Sequence, residues 1–210
     1  MPKFLVSNVL VDYDQAIDTM QKIVNDVQNG YEENVWFLEH PEIYTAGTSA
    51  HPSDLLVESF PVHQSSRGGQ YTYHGPGQLI AYVMVDLRKR NNDVRQFVYN
   101  LEEWIIQTLR HFDIHGLRKP GRIGVWLDDK NIERKIAAIG VRVTKSVTWH
   151  GFAINVNPNL ENFNGIIPCG LKGYKTTSLK AEGIETSVQE VVNLMQACAN
   201  TCGIWNEYDR

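Results

Sequence analysis

At 210 residues, with 42% hydrophobic and 21% charged side chains, the chain has the make-up of a globular protein able to bury a substantial core as one domain over 1–210. Its formal net charge of -4 argues against a general nucleic-acid binder, and no apolar run approaches the roughly 20 residues that cross a bilayer. Three cysteines make no disulfide framework, and the first residues lack the pattern of a secretory signal or transit peptide, so a reducing cytoplasm is expected.

In chain order, Phe4 to Val11 reads as a first strand. Asp12-Tyr13-Asp14-Gln15 is a capping-box pattern, and Ala16, Ile17, Met20, Ile23, Val24 and Val27 follow at helical spacing up to Gly30. Val35 to Leu38 is a buried strand, and His40 to Gly47 a proline- and glycine-punctuated loop or short strand. Leu79 to Leu87 is a near-continuous apolar run of buried-strand type. Asp93, with Gln96 three residues on, opens the longest amphipathic helix, which runs to near Gly116. Ile123 to Leu127 and Ile132 to Val143 are strands joined by Asp128-Asp129-Lys130-Asn131 as a hairpin loop. Thr148 to Val156 is a further strand, and Ser187-Val188-Gln189-Glu190 caps a last helix reaching Cys202. Strands, helices and hairpins so mixed predict an α/β (α+β) fold around a mixed β-sheet flanked by helices.

The chemistry concentrates in a few blocks. Arg67-Gly68-Gly69-Gln70-Tyr71-Thr72-Tyr73-His74-Gly75-Pro76-Gly77-Gln78 places glycines, aromatics and charge at the mouth of the apolar strand, a common position for a binding site. A plain turn between strands is the bland alternative. Pro76 and its flanking glycines read as a fixed turn. Cys169 stands between Pro168 and Gly170 outside any periodic pattern; it is either a nucleophile or an ordinary loop cysteine. Cys198 and Cys202 sit on the apolar face of the last helix and read as small core residues. A free thiol needs help to ionise, and His74, His150 and Lys135 are the candidates. By simple strand alternation Lys135 shares a face with Ala137 and Ile139, opposite Ile136, Ala138 and Gly140. It is then either a snorkelling edge lysine or a cation that favours a nearby thiolate. His74, His150 and Cys169 match no compact zinc-ligand spacing, and the P-loop pattern is absent.

Arg67 to Gln78, Lys135-Ile-Ala-Ala-Ile-Gly140, His150-Gly-Phe-Ala-Ile-Asn-Val156 and Pro168-Cys-Gly170, in this order, closely resemble the lipoyl(octanoyl) transferases of lipoate biosynthesis. The resemblance spans about Trp36 to Leu179 and includes Thr177-Ser178-Leu179; Phe152 stands where leucine is more usual. It implies a fold like that of biotin protein ligases and lipoate ligases. It implies transfer of an octanoyl or lipoyl group from acyl carrier protein to a lysine of lipoyl domains, those of 2-oxoacid dehydrogenase E2 subunits and the glycine cleavage H protein. Cys169 is then the acyl-thioester nucleophile and Lys135 the partner that lowers its pKa. Arg67, Gly68, Gly69, Gln70, Tyr71, Thr72, Tyr73, His74, Ala138, Ile139, Gly140, Gly151, Phe152 and Ala153 would bind the acyl group. Exchange of one thioester for another requires no metal or other cofactor, and neither nucleic acid nor membrane is an expected partner. Two other readings stay open: an ATP-dependent lipoate ligase of the same fold, and a non-catalytic acyl-binding or carrier-docking protein. The basic clusters Arg88-Lys89-Arg90 and Arg118-Lys119 with Arg122 are candidate contacts for an acidic carrier, or simply solvated charge.

Overall fold

The computed structural model describes residues 1–129, 132–167 and 175–205. Its main sheet has the strand order β1 (Lys3–Leu10), β2 (Asn34–Glu39), β6 (Gln78–Met84), β10 (Val147–Asn155), β9 (Ile132–Thr144), β8 (Arg122–Asp129) and β7 (Leu117–Lys119), with β11 (Lys175–Thr176) beside β9. The β1–β2 and β9–β11 pairs are parallel and the others antiparallel, so the sheet is mixed, as the alternation of elements predicts. A second sheet of three strands, β4 (Val62–Gln64), β3 (Ile43–Ala46) and β5 (Tyr71–His74), lies off the first. The glycine-rich stretch therefore enters a strand of its own before turning into β6.

Helix α1 (Tyr13–Gln28) packs Ala16, Met20, Val24 and Val27 with Ile80, Tyr82, Met84 and Ala153 on one face of the main sheet. Helices α2 (Val94–Arg110) and α3 (Val188–Cys198) cover the other face, where Trp104, Leu101 and Met195 meet Phe37, Ala81 and Phe152. Each helix starts where its side chain satisfies otherwise orphaned amides. Asp12 accepts from the amides of Asp14 and Gln15, Asp93 from Gln96, and Ser187 and Glu190 cap each other reciprocally. Helix α2 ends earlier than its apolar spacing suggests, because Asp113 adopts a left-handed φ of 56° and Phe112 joins the core from the turn.

Two local features place the site. The turn Gly75-Pro76-Gly77-Gln78 closes with the Gln78 amide donating to the Gly75 carbonyl at 3.1 Å, and Gly77 has φ +82°. Proline then glycine at the central positions is the chemistry of a type II turn. In β9 the pairing with β8 steps from Val125↔Ala137 to Trp126↔Lys135, so one extra residue is accommodated and alternation inverts. Ile136 and Ala137 both enter the core under α2, and Lys135 comes onto the same face as Ala138 and Gly140. The regular alternation expected from the sequence would have put it on the opposite one.

Candidate active site

β8 leaves β9 at Ala137, and beyond that point the Arg67–Gly69 loop approaches the same edge, with the Gly68 amide donating to the Val141 carbonyl at 3.2 Å. Between the two, no described residue pairs with the sheet edge. Because Val141 and Ala137 turn their main-chain groups outward, Ile139, of the same parity, does so as well. Among the described residues nothing pairs with it there. Its N–H and C=O thus face the opening.

A cavity of about 830 Å³ passes through this gap. On the face covered by the glycine loop it is lined by Arg67 to Thr72, His74, Ala138, Gly140, Gly151 and Ala153. Lys135, Ile139 and Phe152 also line it. Tyr73, expected with them, instead buries its ring among Tyr44, Phe60 and Phe163 in the small-sheet core. Cys169 lies outside the described residues. Its flanks are described: Ile167 donates its amide to the Asp54 carbonyl at 2.7 Å, and Lys175 and Thr176 pair with Arg134 and Lys135.

The glycines here are places of close approach. A Cβ on Gly140 would stand 2.9 Å from the Gly68 carbonyl oxygen, and one on Gly151 2.2 Å from that of Ala81. Either addition would push the loop or a strand away from the cavity wall. Arg67 is buried, and its guanidinium is a brace across the loop. It donates to the Thr45 carbonyl at 2.6 Å, the Thr45 hydroxyl at 2.8 and 3.1 Å, and the carbonyls of Gln70 at 2.7 Å and Gly68 at 3.0 Å. The buried Oε1 of Gln70, in contrast, has no hydrogen-bond partner among the described residues. Lys135 is 7% exposed, with Nζ 5.0 Å from the centre of the Trp126 ring, so its charge is held against an aromatic face within the cavity wall.

Behind the glycine loop lies a cluster of neutral histidines. Burial, then the neighbouring His40, pushes His74 down to about 3, and burial followed by the Arg67 charge does the same to His150. His40, also lowered by burial, donates from Nδ1 to the Val11 carbonyl at 2.6 Å and accepts at Nε2 from the Tyr82 hydroxyl at 2.7 Å. His150 holds a left-handed φ of 57° within β10, a costly conformation for a residue with a side chain.

A buried polar relay joins this region to Lys135. His74 Nδ1 donates to Gln78 Oε1 at 2.7 Å, Gln78 Nε2 to Asn155 Oδ1 at 2.9 Å, and Asn155 Nδ2 to the Thr177 carbonyl at 2.9 Å. The Thr177 amide then donates to the Lys135 carbonyl at 2.9 Å. Sequence reasoning missed Asn155 and Thr177 as site-builders, along with Tyr13, Ile80, Tyr82 and Trp126 in the cavity wall. The available signal was a polar residue, Asn155, closing an otherwise apolar strand.

A family model described as the lipoyl protein ligase A/B catalytic domain matches residues 12–199. An octanoyltransferase of Paramagnetospirillum magneticum is 51% identical over 189 residues, covering 89% of each chain. One from Wolbachia pipientis subsp. Culex pipiens is 44% identical over 198 residues, covering 93% of this chain and 97% of its own. Among solved structures, a putative lipoate protein ligase from T. acidophilum with bound lipoic acid superposes with a TM-score of 0.74 at 15% identity, covering 96% of this chain and 85% of that one. With a mixed sheet flanked by helices, a cavity threaded through it and relatives of this closeness, the chain belongs to the lipoyl protein ligase A/B catalytic-domain family.

Proposed function

We infer that the chain is an octanoyltransferase that moves an octanoyl group from acyl carrier protein onto a lysine of lipoyl domains through a thioester on Cys169. The observation that carries this reading is Lys135, a lysine turned by a bulge into the wall of an apolar cavity, on the strand that β11 joins just after the Cys169 segment. A buried ammonium favours a nearby thiolate over the thiol.

In the first step the Cys169 thiolate attacks the carbonyl carbon of the donor thioester. The outward N–H of Ile139 supports the negative oxygen of the tetrahedral intermediate, since a fixed main-chain donor requires no reorganisation as charge develops. Collapse breaks the donor C–S bond and releases the carrier thiol. In the second step the acceptor lysine, as the free amine, attacks the Cys169 thioester. The amide forms, the thiolate leaves, and the amine's proton passes to solvent or a neighbouring base. This is two-step covalent catalysis. The Ala138, Gly140, Gly151 and Ala153 wall gives the acyl tail an apolar lining, and His74 and His150, held neutral by burial, add no charge to it.

The test is intact-protein mass spectrometry after mixing with octanoyl carrier protein, without ATP. Gain of one octanoyl group that hydroxylamine removes, and that Cys169→Ser does not acquire as a thioester, is the expected result. Dependence on ATP, or unimpaired transfer by a folded Cys169→Ala protein, overturns it.

A further inference from the structure

The cavity is larger than its acyl cargo. Taking about 30 Å³ for each water-sized group, an eight-carbon chain needs roughly 240 Å³, under a third of the 830 Å³ present. The remainder includes a second chamber between the first turns of α2 and the turn joining β7 to β8. Its walls are Val94, Val98 and Tyr99 on one side and Pro120 and Ile123 on the other. Tyr99 and Ile123, both lining the cavity, are 48% and 55% exposed, so large apolar side chains at its margin stand open to solvent. Tyr99 is held in place by the Arg118 guanidinium, 3.7 Å from its ring centre, and Arg118 is itself anchored by Glu103 at 2.6 Å. Arg118, Lys119 and Arg122 are all neutralised by Glu102, Glu103, Asp128 and Glu133. Arg95, exposed at the rim of the same chamber, has no carboxylate partner among the described residues.

We propose that this second chamber binds the pantetheine arm of the thioester donor, with Arg95 receiving the phosphate at the arm's end. The inference rests on the reading of the chain as a thioester-using acyltransferase. A thioester carbonyl carries two substituents that point apart. With the acyl tail under the glycine loop and the carbonyl at the opening beside Ile139, the sulfur and its arm extend through the gap to the α2 side. The arm is a chain of methylenes and amides with a branched dimethyl segment, suited to an apolar cleft with polar margins. It ends in a single phosphate, which needs one uncommitted cation. During transfer the new S–C bond to Cys169 forms as the donor C–S bond breaks. The arm leaves as a thiolate, takes a proton from solvent and withdraws along the same chamber.

In the other candidate for carrier docking, Arg88-Lys89-Arg90, Lys89 is exposed while both arginines have acidic partners. Arg90 is buried, its guanidinium on Glu33 and on the Ile204 carbonyl, and Arg88 is clamped to Asp86.

The experiment compares single-turnover kcat/KM for self-acylation from octanoyl thioesters of N-acetylcysteamine, pantetheine, phosphopantetheine, coenzyme A and carrier protein. The wild-type chain is expected to prefer pantetheine over the truncated N-acetylcysteamine donor. Ile123→Asp and Tyr99→Ala, both at exposed positions, should lower that preference on the order of tenfold. Arg95→Glu should spare the pantetheine donor relative to the truncated one. It should weaken the phosphopantetheine donor several-fold, more at low salt. Coenzyme A and carrier protein separate the sources of the arm. A higher kcat/KM with the carrier, weakened by Arg95→Glu in step with phosphopantetheine, supports the carrier's arm, and a preference for coenzyme A overturns that assignment. Unchanged donor preference in Ile123→Asp and Tyr99→Ala, with acylation otherwise intact, overturns the chamber assignment alone. Absence of acylation from every donor in the wild-type protein instead removes the acyltransferase reading on which it rests.

Discussion

Replacing Arg67 by methionine tests whether the glycine loop is held by its own side chain. The guanidinium reaches the carbonyls of Thr45, Gly68 and Gln70 and the Thr45 hydroxyl, and Thr45 is fully buried. Each charge-assisted bond to a carbonyl contributes about 1.5 kcal/mol or somewhat more, so three lost acceptors amount to about 4–5 kcal/mol. Arginine's own desolvation penalty disappears with it, which offsets part of the loss. A net destabilisation of about 3 kcal/mol corresponds to a fall of roughly 6–12 °C in Tm for a chain of this size. Arg67→Lys keeps the charge without the planar fork and should recover less than half of that. Melting by circular dichroism gives the magnitude. Titration of the His150 ring by NMR gives an independent readout, because the Arg67 charge is one reason that ring is hard to protonate. Arg67→Met should raise the His150 pKa while Arg67→Lys leaves it lowered. A methionine variant that melts within about 2 °C of the parent would refute the bracing role.

The folded pKa values of His74 and His150, about 3 against an ordinary 6.5, mean that the unfolded chain binds protons the folded one refuses. Stability should therefore be full above about pH 6.5 and fall as pH drops towards 3. The loss is about 2 kcal/mol per histidine between pH 7 and 5, measurable by urea unfolding at both values; a flat profile over that range would contradict the buried neutral state. Asn155→Leu strands the Gln78 amide and the Thr177 carbonyl in the interior. It should cost about 2–4 kcal/mol and lower kcat for acyl transfer in the refolded protein; an intact Tm would show that the relay is dispensable. Lys135→Met should move the pH midpoint of Cys169 alkylation upward, whereas an unchanged midpoint would confine Lys135 to a packing role. Gly140→Ala should weaken acyl binding by displacing the Gly68 carbonyl, read as a raised KM; a normal KM would mean that the loop gives way easily.

What the sequence disclosed was what local chemistry decides. Asp12, Asp93 and Ser187 with Glu190 announce helix starts because a capping side chain bonds to amides two or three residues away. Gly75 to Gln78 announces its turn because proline and glycine restrict the same four residues that close it. The apolar run after it is β6, buried along its whole length. What stayed hidden was decided by distant partners. Nothing near Tyr73 indicates that its ring belongs to a separate core with Tyr44 and Phe163. Arg90 looks like one of three surface cations until Glu33, distant in sequence at the start of the neighbouring strand β2, is brought beside it. Arg67 was legible as a site residue and His40 to Gly47 as a loop or short strand, but their pairing through Thr45 was not.

The extra residue in β9 stores the phase of the site. On an unbroken strand, the faces of Lys135 and Ala138 would differ, and one position's worth of backbone is all that reconciles them. An insertion in the turn between β8 and β9 lengthens a connection and leaves this phase alone. Slipping β9 by one position against β8, with every residue kept, would restore regular pleating and send Lys135 under α2, into the apolar core, while Ile136 took its place on the cavity face; deleting Ile136 would close the bulge and leave Lys135 where it is. Regularising the strand by such a slip would thus leave a better-formed sheet whose cavity had lost Lys135. Efforts to idealise this fold for stability should treat that irregularity as part of the active site, as fixed as any side chain within it.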